Sequence, residues 1–143
     1  MLSGAAFLIG AMTAANAGAA ELKVLSAEAM KPAVQELAAA YEKKSGNKVK
    51  VEYATDANGE KQVAADDSID IAILTKDSIE NLIKTARILT FPKVLATGSG
   101  PEVVYVAGAS LLTEEPIAAK SLMDFLASPE AKKVYEAKGM KTS

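Results

Sequence analysis

Past residue 20 the apolar positions switch repeatedly between short β-like runs and a helical period, a pattern that predicts an α/β sheet. Leu22-Lys23-Val24-Leu25-Ser26 reads as a first strand. Met30, Val34, Leu37 and Tyr41 then fall on one helical face within a stretch running to Lys44, and Gly46 suits the left-handed residue that ends such a helix. Val49, Val51 and Tyr53 alternate with Lys50 and Glu52, which predicts a strand with one wetter face. Residues 58–65 predict a short helix turning Val63 inward. Ile69-Asp70-Ile71-Ala72-Ile73-Leu74 is nearly continuous, as suits a central parallel strand covered on both sides.

The second half keeps the alternation with one interruption. Ile79, Leu82 and Ile83 give Asp77 to Lys84 a helical side, but Thr85 to Pro101 has no clear period and is broken by Pro92, Gly98, Gly100 and Pro101. That stretch reads as a connector, with a short strand at Arg87 to Thr90. Val103 to Ala107 is a strand, and Pro116 to Leu126 a helix burying Ile117, Leu122, Phe125 and Leu126. Ser128 as N-cap, Pro129 at the first helical position, Glu130 beside the positive end and Gly139 past the last turn mark a final helix. The pattern describes a three-layer open sheet, mostly parallel, with helices on both faces.

The first 20 residues stand apart. Met1 to Ala20 carry no charge, Ala5 to Met12 form a short apolar run, and Ala15-Asn16-Ala17 and Ala17-Gly18-Ala19 offer small-x-small cleavage points. This is the signature of a secretory signal peptide, residues 1–20, without the usual basic start; it leaves 21–143 as the mature chain. A total of 143 residues holds one core. The 16 basic and 18 acidic residues give a net charge of −2, which offers no footprint for nucleic acid. With no Cys and no His, thiolate and imidazole nucleophiles, zinc sites built on those ligands and disulfides are excluded. Secretion without cysteine points to a bacterial periplasm or cell surface.

In an open α/β sheet ligands meet the carboxyl ends of strands, where loops lead into helix N-termini. Three loops qualify. Ser26-Ala27-Glu28-Ala29 follows the first strand, where Ser26 either caps the next helix or, with free backbone N–H groups, holds an oxyanion. Ala54-Thr55-Asp56-Ala57-Asn58-Gly59 is a second site candidate or a solvated turn. Thr75-Lys76-Asp77-Ser78 is most simply a helix cap. Asp70 inside its apolar run is either a catalytic acid or a strand-start carboxylate accepting backbone hydrogen bonds. The side chains of Asp66 and Asp67 should point apart, and Gly98-x-Gly100 matches a dinucleotide fingerprint only in part.

Glu21-Leu22-Lys23-Val24-Leu25-Ser26-Ala27-Glu28-Ala29-Met30-Lys31-Pro32, followed by Tyr41 to Gly46, resembles the opening of periplasmic molybdate-binding proteins, the type II solute-binding subunits of ABC importers. Val51-Glu52-Tyr53-Ala54-Thr55, the Ile69 to Leu74 run, and Glu102 to Val106 through Ser128-Pro129-Glu130-Ala131 to Gly139-Met140 extend the likeness over most of the chain. The resemblance implies an extracytoplasmic binding protein without catalysis or cofactor. Its ligand would be molybdate, tungstate or a similar tetrahedral oxyanion, and its partner a membrane permease. It implies that the Ser26 and Thr55 hydroxyls and the Ala27 and Asp56 amides donate to that ion.

Relatives of this kind have two lobes. Here the second has no counterpart, and residues 85–101 stand where it would be inserted, which leaves a single lobe with a half-open site. Carboxylates at Glu28 and Asp56 oppose an anion, so weak binding is expected. The alternative is a one-lobe remnant that self-associates or binds a partner through the exposed cleft face. A secreted hydrolase built on Asp70 or Asp66 is a remote third.

Overall fold

The computed structural model describes residues 19–98 and 102–143, so the expected signal peptide lies almost wholly outside the described residues. Strand β1 (Glu21–Ala27) leads through a 3-10 turn (Glu28–Met30) into helix α1 (Lys31–Ser45). Strand β2 (Lys48–Ala54), helix α2 (Asp56–Ala65), strand β3 (Ile71–Thr75) and helix α3 (Lys76–Lys84) follow. Strands β4 (Lys93–Thr97) and β5 (Val104–Ala109) form a hairpin, and helices α4 (Pro116–Leu126) and α5 (Pro129–Ala137) complete the order.

The sheet runs β2-β1-β3-β5-β4. β1 pairs in parallel with β2 and β3, while β5 runs antiparallel to both β3 and β4, so four of the five strands share a direction. Alternation along the strands sends side chains to two cores. Leu22, Val24, Ile71 and Ile73 join Leu37, Tyr41, Leu122 and Tyr135 under α1, α4 and α5. Leu25, Ala72 and Leu74 join Val63, Ile79 and Leu82 under α2 and α3. Helices on both faces make three layers, and β3 is buried along its length except at Thr75. β2, at the margin, alternates between exposed and half-buried residues as its pattern required.

Two expectations are corrected. The strand within 85–101 is Lys93–Thr97 rather than Arg87 to Thr90, where Ile88 makes only an isolated bridge to Ser110. At the β4–β5 end of the sheet the Gly98 amide donates to the Val103 carbonyl at 2.9 Å. Ile117 is 86% exposed rather than buried, because α4 packs through Ala119, Leu122, Met123 and Leu126 and turns Ile117 away. The last helix behaves as expected, with the Ser128 hydroxyl accepting from the Ala131 amide and Gly139 taking the left-handed backbone beyond it.

Candidate functional site

Parallel strands place their carboxyl ends side by side, and the loops there collect most of the expected candidates. Ala27 is in register with Ala54, so the start of α1's lead-in turn and the Thr55-Asp56 start of α2 are neighbours. β3 ends next to β1, which adds Thr75 and the start of α3. The end of β4 and the start of β5, paired at Thr97 and Val104, reach the same margin. A cavity of about 230 Å³ there is lined by Ala29, Pro32, Gly98, Tyr105, Lys138 and Met140.

Two threonines start helices in the same way but differ chemically. The Thr55 hydroxyl accepts from the Asn58 amide, and the Thr75 hydroxyl accepts from the Ser78 amide, both at 3.3 Å. Thr75 also donates its proton to the Asp56 carboxylate at 2.8 Å. A hydroxyl has a single proton to give, so Thr75 is spent, whereas the exposed Thr55 hydroxyl keeps its proton.

Asp56 is the hub of this margin. Its carboxylate accepts from the Thr75 amide at 2.8 Å, the Thr75 hydroxyl, and the Ser78 hydroxyl at 2.6 Å. The side chain therefore ties the start of α2 to the start of α3. Its negative charge reaches Tyr105, whose phenol is raised first by burial and then by Asp56.

Ser26, expected to donate to a solute, sits differently from Thr55. Ser26 lies a residue short of the strand end, on the side facing α1, α4 and α5; it is fully buried and donates to the Ala27 carbonyl at 3.0 Å. It neither caps a helix nor faces the margin, because β1 runs on through Ala27 and the cap position of the turn makes no side-chain bond. Ala27 is itself buried, and the exposed side chains at the mouth are those of Glu28 and Ala29 in the 3-10 turn that follows β1. Sequence reasoning named neither Tyr105 nor Gly98 as part of this margin, since both enter from the segment read as featureless or as plain strand.

Asp66, Asp67 and Asp70 are engaged within the fold. Asp70, nine-tenths buried at the opposite margin, accepts from the Lys23 amide at 2.8 Å and the Thr113 hydroxyl at 2.7 Å, closing the starts of β1 and β3. Asp66 takes Lys23 and Ser68 while Asp67 takes Arg87, so the pair does point apart. Among the described residues no three metal-ligating side chains converge. Nor is any described helix long and apolar enough to cross a membrane.

Residues 22–100 match the family described as bacterial extracellular solute-binding protein, more than half of the chain. The chain belongs to that family. No curated protein matches this solute-binding protein's sequence. Its fold is that of solved oxyanion-transport proteins. The substrate binding domain assigned to a molybdenum ABC transporter of Clostridium difficile superposes with a TM-score of 0.78 at 13% identity, covering 87% of this chain and 100% of that one. The periplasmic molybdate-binding protein of Azotobacter vinelandii gives 0.77 at 12%, covering 85% and 99%. The sulfate-binding protein SubI of Mycobacterium tuberculosis gives 0.70 at 10%, covering 85% and 86%. These likenesses show the periplasmic-binding-protein fold.

Proposed function

We propose that this solute-binding protein serves an ABC importer in the periplasm, delivered there by a signal peptide over residues 1–20. In this reading it takes a small tetrahedral oxyanion, with molybdate or tungstate the preferred candidates, and hands it to a membrane permease. The observation that carries the reading is the open carboxyl margin of the sheet. There the exposed Thr55 hydroxyl keeps its proton, and the Asp56 and Ala57 amides stand at the positive end of α2. Ala27 contributes backbone only, and Ser26 no longer counts as a ligand. The Asp56 carboxylate stands beside the same place, so affinity is weak. Residues 21–143 act in this reading as one lobe, and the ion remains half solvated.

Amide NMR on the protein tests this. Added molybdate should shift the amides of Thr55 to Asn58, with an equal ionic strength of chloride leaving them in place. Shifts confined to the Asp70 margin, or none at millimolar anion, would overturn the reading.

A further inference from the structure

The large exposed apolar side chains do not lie on the carboxyl margin, where the alternative reading put self-association or partner binding. Four of the six exposed among the described residues gather around the opposite side of the sheet's free border. Phe91 is 83% exposed, Ile117 86% and Val94 59%, with Leu89 also uncovered. Phe91 precedes β4, the outermost strand, whose outer side meets among the described residues only Lys141, at Thr97. Ile117 stands in the first turn of α4, beside Pro116. Between these elements lies a groove of about 330 Å³ walled by Leu89, Phe91, Ala109, Pro116 and Met123. Ala109 lies across from Ile71, the first residue of β3, which puts the groove at the amino margin, away from the candidate solute site.

We propose that this face is a homodimer interface and that its occupant is a second copy of the chain. Three features fit a copy of the same surface. A two-fold contact requires one patch to hold both a projection and its receptor, and here Phe91 projects beside the groove. The rim charges are balanced within each copy: Asp124 meets Lys120 at 2.8 Å and Lys93 at 3.6 Å, so two such rims can meet without burying an unpaired charge. The open side of β4 from Lys93 to Ala96 can pair antiparallel with itself, satisfying amide and carbonyl groups that otherwise face solvent. A lone apolar ligand would leave Ile117 and Val94 in water, which pairing of two copies covers. The dimer leaves the carboxyl margin of each copy open.

Sedimentation equilibrium on the secreted full-chain product, from micromolar to submillimolar concentration, decides the matter. The wild-type chain should approach twice the monomer mass. Phe91→Asp and Ile117→Asp should each weaken association by about thirtyfold or more, as expected for the loss of a central apolar anchor. Leu112→Asp, an exposed apolar position outside the groove, should leave it unchanged. Phe91 and Ile117 lie outside the core, so far-UV circular dichroism should match wild type. Because the chain has no cysteine, Val94→Cys supplies a second readout, a disulfide-linked dimer on mild oxidation. A wild-type monomer across the range would overturn the proposal. So would a dimer indifferent to Phe91→Asp and Ile117→Asp.

Discussion

Asp56 shows how a single side chain serves the fold and limits the site. Its carboxylate gathers three donors from the start of α3, yet its charge faces the same margin as the Thr55 hydroxyl. Asp56→Asn keeps the shape and an acceptor oxygen while removing that charge. Unit charges a few ångströms apart in water interact by about 1 kcal/mol, so oxyanion affinity should rise by about fivefold. The Tyr105 phenol should titrate nearer its ordinary range. Calorimetric titration and ultraviolet pH titration read the two effects, and an unchanged affinity would mean that the ion binds elsewhere. Asp66 works at the other margin, where the Ser68 hydroxyl, then the Ser68 amide, then Lys23 hold its carboxyl down to about 2. A carboxyl depressed by folding stabilises the native state fully above its ordinary value of about 4, and that contribution fades as pH falls toward 2. Asp66→Asn should therefore flatten the acid side of a stability profile between about pH 4 and pH 2 and lower stability at neutrality. An acid limb identical to wild type would count against this role.

Helix endings show what the sequence discloses about elements and what it hides. Beyond α5, Gly139 donates to Glu136 and Met140 to Tyr135, the paired bonds of a Schellman ending. The same pair closes α3, from Ala86 to Ile83 and from Arg87 to Leu82, but the left-handed residue there is Ala86 at φ 61°. Ala86→Gly should remove that strain and raise stability by about 1 kcal/mol, measured by urea unfolding; a loss of stability would contradict the capping account. Gly139 was legible because glycine marks such endings, whereas an alanine carries no such mark. β4 was hidden for a related reason. A register shift between Val94 and Ala96 leaves Leu95 and Ala96 both buried, which breaks the alternation that identifies a strand. Ile117 looked like a core residue by type, but the buried positions of α4 are Ala119, Leu122, Met123, Phe125 and Leu126, a face that its place in the first turn misses.

At the scale of the molecule, the three-layer sheet was readable because strand runs and helical stripes alternate cleanly, and the sheet in turn located the margin where a solute would sit. The identity of the groups on that margin was only half readable. Thr55 and Asp56 follow from a strand ending in a polar loop, whereas the exclusion of Ser26 depends on β1 running one residue further, and Tyr105 arrives from a strand distant in sequence. The central claim is that this margin holds a tetrahedral oxyanion. Thermal unfolding of the protein with and without millimolar molybdate, tungstate, sulfate and phosphate, in wild type and Thr55→Val, tests it most directly. Ligand at about 100 times its dissociation constant adds roughly 2.7 kcal/mol, so weak millimolar binding should raise the midpoint by a smaller but measurable step. The account predicts that rise with at least one oxyanion and its loss in Thr55→Val; no rise with any of them, or an equal rise in the variant, would contradict it.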